Sequence, residues 1–441
     1  MQTESRNPKI IPCESAPSGW YETARNRRRS TPLQNDIRVD WAIVGAGFTG
    51  LSFAGEMANI DPDTSIAIFD ALPLGWGASG RNSGFVVDAI PPEGGLKGVS
   101  KQRAIQKSRL LRAGTKLLRD KVRTFAIDCA WAEQPRLIAG SNPFGEERVR
   151  ALADGFRQVD RDVDILDPQT LQARLGTEFY TSGLAVHGGA TMQPVELQAG
   201  LADNLPNNVQ IFDNTAVTGL SGIAPYRLST PTGTVTAQRV ALCCNVHLPQ
   251  FGFGAGRYMY LATYASLSQP LNSNQLAALG TDEHFALTPS VLGASTLRRT
   301  HDDRLLIRRS TTYAPSLTTR TANLGQLASE HKRALVSRWP QLCDLSLAHT
   351  WGGVVSYPAN HGQIFGELRK GLYASASCFG VGVSLGAISG KLLAQRAAGI
   401  HSPEHEDVDA IPFPTRLPPE PIRRIIAINA IRKNVRASQP D

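Results

Sequence analysis

The feature that most restricts the fold is a glycine spacing at the end of an apolar run. Trp41, Ala42, Ile43 and Val44 lead directly into Gly45, Gly47 and Gly50, the Gly-x-Gly-x-x-Gly spacing, with Phe48 and Thr49 inside it. This order predicts a strand, a tight turn and a helix. Gly45 permits the turn, Gly47 lets a pyrophosphate approach the backbone, and Gly50 lets the helix pack closely on the strand. Phosphates then sit at the positive end of the helix. A second apolar run, from Ser65 to Phe69, ends in Asp70 about twenty residues after Gly50, where a carboxylate accepts hydrogen bonds from a ribose. Strand, turn, helix, strand and acid in register predict a dinucleotide-binding unit of the α/β class.

A chain of 441 residues is long enough for two domains with sizeable cores. No apolar run approaches the roughly 20 residues that cross a bilayer, and the polar start lacks the apolar region of a secretory signal. A cytoplasmic protein without a transmembrane segment is expected. Cys13, Cys129, Cys243, Cys244, Cys343 and Cys378 are scattered without metal spacing, so reduced thiols and no metal site are expected. The net charge of +8 concentrates around Arg25, Arg27, Arg28 and Arg29 and in a tail with Arg423, Arg424, Arg432, Lys433 and Arg436. No nucleic-acid module accompanies these charges, so no nucleic-acid partner is expected. Ile422, Ile425, Ile426, Ile428 and Ile431 beside the tail arginines fit a terminal helix packed on a domain or one lying on an anionic surface.

Apolar residues at Ile105, Leu110, Leu111, Leu117, Leu118, Val122 and Phe125 predict a helix over 101–126. Shorter helices are expected near 145–157, 167–175 and after Gln193, where Pro194 suits a first turn. Strands are expected at 209–212 and 239–243, and residues 250–345 read as strand-rich. Nucleotide-domain features thus recur at 37–90, at 193–245 and after 350. That pattern predicts a discontinuous domain holding an insertion.

Three further motifs sharpen the reading. Residues 75–85 read Gly-Trp-Gly-Ala-Ser-Gly-Arg-Asn-Ser-Gly-Phe, and residues 351–358 read Trp-Gly-Gly-Val-Val-Ser-Tyr-Pro. A glycine-rich turn and small-residue helix occupy 371–390. With the first glycine turn, and in this order, they resemble the D-amino-acid-oxidase-like (DAO) family of FAD-dependent oxidoreductases, in its gamma-glutamylputrescine oxidase and glycine/sarcosine oxidase-like branch. The resemblance spans about 37–400. It implies a glutathione-reductase-like FAD-binding Rossmann domain (α/β, α+β overall) with an inserted antiparallel-sheet substrate domain. The implied parts are an extension at 1–36, an FAD domain at 37–90, 185–249 and 346–415, a substrate domain at 91–184 and 250–345, and a basic tail at 416–441.

By the same resemblance Gly45, Gly47 and Gly50 hold the pyrophosphate of FAD and Asp70 the ribose. Ala78, Ser79, Gly80, Arg81, Asn82 and Gly84 wrap the pyrophosphate and flavin edge, with Arg81 offsetting phosphate charge. Val217 contacts the adenine. Gly380, Val381 and Gly382 open a helix whose positive end faces the flavin. Some relatives attach FAD through a His near Ala78 and Ser79 or a Cys near Tyr357; neither stands there, so FAD is expected to be non-covalent. The implied reaction passes a hydride from an amine or amino-acid carbon to the flavin, leaving an imine that water hydrolyses. O₂ is the expected acceptor, although no lysine occurs between 281 and 320, where some relatives place an oxygen-activating one. A non-O₂ or membrane acceptor is the alternative. A tRNA-modifying flavoenzyme and a flavin protein without turnover are further alternatives.

Substrate-site candidates are Arg298, before a hairpin, as a bidentate carboxylate clamp, Tyr357 on the flavin's substrate face, and His361. One of Tyr258, Tyr260 and Tyr264, which share parity, is a further wall candidate. His187 reads as structural, and Cys378 falls in the final turn without a catalytic role.

Overall fold

The computed structural model describes residues 8–12, 14, 16–92, 99–319, 323–376 and 380–441. The strand Ile37–Val44 runs from half-buried at its start to wholly buried over its last four residues. That suits a strand covered on both faces of a parallel sheet. It pairs in parallel with Ile66–Phe69 on one side and Thr234–Leu242 on the other. Val209–Phe212 and the strands Leu372–Ala376 and Ile364–Arg369 extend this sheet at its two ends. All three central strands end at one edge, with Val44 opposite both Phe69 and Leu242. Ligands bind at such carboxyl edges in open α/β sheets.

The expected helices form. Lys101–Thr124 starts on a Ser100 side-chain cap and buries Leu110, Leu111 and Leu118. Pro143–Arg157 starts on Asn142, whose side chain accepts from the Gly145 amide. Pro194–Asp203 and Gly382–Ala397 complete the set around the first sheet, the latter packed on the helix Phe48–Ile60.

A second eight-stranded sheet runs in the order Leu347–Tyr357, Met259–Ser268, Leu305–Tyr313, Thr296–Arg299, Ala286–Pro289, Arg136–Gly140, Ser182–Val186, Val163–Leu166. It is antiparallel except where Ala286–Pro289 meets Arg136–Gly140 in parallel. The strand Leu347–Tyr357 lies on the substrate side although sequence motifs group it with the FAD-binding portion. Its pairing partner Met259–Ser268 decides this.

The lead-in is more than an extension. Ser18 Oγ donates to the Gly80 carbonyl at 2.8 Å, Trp20 Nε1 donates to the Asn82 carbonyl at 2.7 Å, and the Leu33 amide donates to Thr215. The basic tail forms the helix Ile422–Ala437 against the strand Leu305–Tyr313. It buries Ala427 and leaves Ile422, Ile425 and Ile426 exposed. Beyond the helix, the Asp441 side chain is buried between Arg309 and Arg338 and accepts from Ser295. Among the described residues no helix is long and apolar enough to cross a membrane, and no His, Cys, Asp and Glu cluster could hold a metal.

Candidate active site

The carboxyl edge of the first sheet opens on a cavity of about 610 Å³ that reaches under the second sheet. Its nucleotide end is lined by Gly45, Gly47, Phe48, Thr49, Asp70, Ala78, Ser79, Asn82 and Val217. Gly45 has φ +107°, a conformation that favours glycine. Both oxygens of Asp70 are engaged, by the Ala46 amide at 2.8 Å and the Leu72 amide at 3.0 Å. Burial pushes its carboxyl upward, against the pull of those amides.

Two helices point their amino ends into this one cavity. Phe48–Ile60 starts at Gly47 and Gly382–Ala397 at Val381, and neither cap residue supplies a side-chain hydrogen bond. Gly380, Val381 and Gly382 all line the cavity. The Phe48 amide donates to Ser79 Oγ at 3.3 Å; the remaining first-turn amides at two positive helix ends fit an anionic cofactor with a second polarisable group, as FAD has. A free carbonyl edge would not.

Several residues expected at the cofactor instead build its frame. Gly50 and Gly80 pack behind the cradle and do not line it. Arg81 is buried, and its guanidinium donates to the carbonyls of Trp76 at 2.6 Å, Gly352 at 2.8 Å and Ala16, with Glu14 3.6 Å away. Arg81 does not line the cavity, and with its donors held by backbone oxygens it has no direct hydrogen bond left for a cofactor phosphate on the cavity wall, in contrast to the wrapping contact expected of it. Asn82 closes the loop by donating to the Ser79 carbonyl and accepting from the Gly84 amide.

At the substrate end Tyr357 lines the cavity, and its hydroxyl lies 4.0 Å from where a Cβ on Gly380 would stand. Arg298 and His361 do not line it. Arg298 is 2% exposed and donates through one nitrogen to the carbonyls of Met192 at 2.6 Å and Gly84 at 3.1 Å, with its guanidinium over Trp20. It joins the two domains, and the clamp assigned to it needs a free fork. His361 sits in a turn closed by its own amide on the Pro358 carbonyl. Burial and the nearby Lys107 and Arg103 push it down to about 4. Tyr258, Tyr260 and Tyr264 lie off the cavity, and the odd-numbered neighbour Thr263 takes the wall position. Cys378 lies outside the described residues.

The arginine that does line the substrate end is Arg308, with Arg136 and Arg148. Arg308 faces Thr296 across the hairpin and donates to its hydroxyl at 2.6 Å. Burial lowers its affinity for the proton, and Tyr357 is close enough to oppose that shift. Sequence reading missed Arg308 because ten positions separate it from Arg298 on the hairpin, and only the fold shows which guanidinium the cavity takes. Ile10, Pro12 and Glu14 of the lead-in also line the cavity, and nothing in their composition signals it.

A dinucleotide cradle opening under an antiparallel sheet is the layout of a two-domain flavoenzyme. The profile of the family described as FAD dependent oxidoreductase (DAO) matches residues 40–396. Gamma-glutamylputrescine oxidoreductase of Escherichia coli (strain K12) is 24% identical over 393 residues, covering 87% of this chain and 89% of that protein. Glycine oxidase from Geobacillus kaustophilus shares the fold with a TM-score of 0.68 at 19% identity, over 83% of this chain and 96% of that one. L-proline dehydrogenase from P. horikoshii does so with a TM-score of 0.65 at 13% identity, over 84% and 96%. The chain belongs to the DAO family of FAD-dependent oxidoreductases, and FAD is its cofactor.

Proposed function

We propose that this enzyme oxidises the C–N bond of an amine or amino acid whose carboxylate is held by Arg308 and Tyr357. The observation that carries the reading is the placement of Arg308, a half-buried guanidinium on the cavity wall beside Tyr357. A half-buried cation with spare donors favours an anionic ligand. Relatives whose names specify gamma-glutamylputrescine, glycine and L-proline support a nitrogen-bearing substrate. FAD, when bound, supplies the two-electron acceptor.

The chain's own residues bind and orient. Thr296 holds Arg308 in place through the 2.6 Å bond. Ile138, Leu152, Phe156 and Val355 give the cavity apolar walls, which exclude water and favour the neutral amine. The open end of Gly382–Ala397 directs positive potential toward the flavin end. Gly45, Gly47, Phe48, Thr49, Ala78, Ser79, Asn82 and Val217 are the cofactor contacts in this reading, held non-covalently.

Reoxidation by O₂ is part of the proposal. No lysine lines the cavity among the described residues, and this favours a second reading in which another acceptor takes the electrons. Oxygen consumption compared with dye reduction during turnover decides between them. A cytoplasmic setting suits the free thiols Cys129 and Cys244, both pushed up to about 12 chiefly by burial. The proposal is tested by Arg308→Gln. It raises KM for a carboxylate-bearing amine about tenfold or more, as the loss of a hydrogen bond to a charged group does. An unchanged KM refutes the assignment.

A further inference from the structure

The substrate end of the cavity holds more positive charge than one carboxylate uses. Arg136, Arg298 and Arg308 lie on the same face of the second sheet. The ladder fixes this, since Leu137 pairs with Leu287, Leu287 with Leu297, and Thr296 with Arg308. Arg298 is engaged by the carbonyls of Gly84 and Met192. Arg136 and Arg308 are left on the cavity wall. Three strand spacings separate their strands, roughly 14 Å.

Arg148 joins them from the helix Pro143–Arg157. It lies one turn before Leu152 and two before Phe156, and all three line the cavity, as i, i+4, i+8 positions on one helix face do. The Arg136 guanidinium lies over the Phe156 ring at 5.7 Å, which sets that end of the helix beside Arg136. Ser290 Oγ donates to the Gly145 carbonyl at 3.1 Å. This holds the helix's first turn against the loop carrying Leu292 and Gly293, also on the wall.

The described carboxylates near this end are accounted for elsewhere. Among the described lining residues only Glu14 and Asp70 are acidic. Asp70 is bonded to the Ala46 and Leu72 amides, and Glu14 stands by Arg81. Asp88, whose charge reaches Arg136, is ion-paired to Arg161 at 2.6 Å. Neither Arg136 nor Arg148 has a salt bridge to a carboxylate among the cavity-lining residues described. Burial alone pushes Arg136 down to about 10, a cost that an anionic ligand would relieve.

We propose that the substrate carries two carboxylates, one held by Arg308 with Tyr357 and the second by Arg136 and Arg148. This rests on the amine-oxidation reading for the first anchor and adds the second. A free polyamine with a cationic far end is disfavoured, because its ammonium would meet two guanidiniums. An extended amino diacid, or an amine conjugated through a diacid, fits the spacing.

The test uses the FAD-loaded full chain and two inert probes of equal length, adipate and hexanoate, read by perturbation of flavin absorbance. Adipate binds at least tenfold tighter than hexanoate despite being less apolar. Arg148→Gln, half-exposed and safe for the fold, lowers adipate affinity about tenfold and leaves hexanoate unchanged; Arg136→Gln does the same. Arg308→Gln weakens both probes. Equal binding of adipate and hexanoate, or an Arg148→Gln ratio equal to wild type, overturns the second site. With substrates, 2-aminoadipate and glutamate are compared with glutamine, which removes only the second charge. Tight adipate binding without flavin reduction by any amine refutes amine oxidation and leaves the dicarboxylate site standing. Reduction by glutamine as efficient as by glutamate refutes the second site and leaves amine oxidation standing.

Discussion

Adding one methyl group at Gly50 separates the turn's architecture from its contact with the cofactor. A Cβ on Gly50 would stand 1.9 Å from the Gly45 carbonyl oxygen, and one on Gly47 would stand 2.8 Å from Ser79 Oγ. Real Cβ contacts do not fall below 3.0 Å, so Gly50→Ala forces the helix away from the turn by about 1.1 Å. The obstacle is backbone and has no rotamer to change. Overpacking of this kind costs about 1–3 kcal/mol or more. The Gly47→Ala methyl meets a serine hydroxyl that rotates away, so its fold cost is small. It does occupy the side from which a pyrophosphate approaches. Thermal denaturation of apo and FAD-loaded protein, with FAD content from absorbance, reads both effects. Gly50→Ala lowers the melting temperature of the apo protein by several degrees and loses FAD. Gly47→Ala leaves the apo melting temperature within about a degree and still weakens FAD at least tenfold. A Gly50→Ala protein as stable and as yellow as wild type refutes the turn assignment.

Arg298→Gln lowers stability, because it removes a charged donor from the Met192 carbonyl and one of two donors from the Gly84 carbonyl, which keeps only the Met192 amide, yet KM for the substrate stays near wild type; a KM rise matching that of Arg308→Gln reverses the two assignments. His331 is fully buried, accepts or donates at 2.7 Å to Ser266 Oγ, and is pushed down to about 4 by burial. Its folded pKa lies below its unfolded 6.5, so its neutral form is favoured by the fold. Stability is therefore full above about pH 6.5 and falls as the pH drops toward 4, by up to about 1.4 kcal/mol per pH unit. Denaturant midpoints across that window read it, and His331→Gln flattens the slope; an unchanged slope removes His331 as its source.

The nucleotide end was legible because its physics is local. A strand, a glycine turn and an acid lie within about thirty residues, and the fold sets Gly45, Gly47 and Asp70 on one cavity wall. The expected helix over 101–126 appears as Lys101–Thr124 for the same reason, since its apolar period is carried by consecutive turns. The substrate end depends on non-local register. Arg298 and Arg308 have the same residue type and share a sheet face, and what separates them is that Arg298 is engaged by the Gly84 and Met192 carbonyls while Arg308 lines the cavity. Parity alone misplaced the tyrosines around 258–264. Their neighbour Thr263 lines the cavity, and the register with Leu305–Tyr313 shifts between Thr263 and Tyr264, a break that strict alternation does not show. Glu14 and Ile10 reach the cavity because the lead-in is stapled to residues 80–82 by Ser18 and Trp20. Arg81 carried the right residue type for a phosphate partner, yet three carbonyls take its donors.

Anaerobic titration of the FAD-loaded enzyme with amino diacids, simple amino acids and carboxylate-free amines tests amine oxidation most directly, with flavin absorbance as the readout. Bleaching by carboxylate-bearing amines, lost or shifted at least tenfold in concentration by Arg308→Gln, is the predicted result. A flavin that stays oxidised with every amine, or that carboxylate-free amines bleach equally well in wild type and Arg308→Gln, contradicts it.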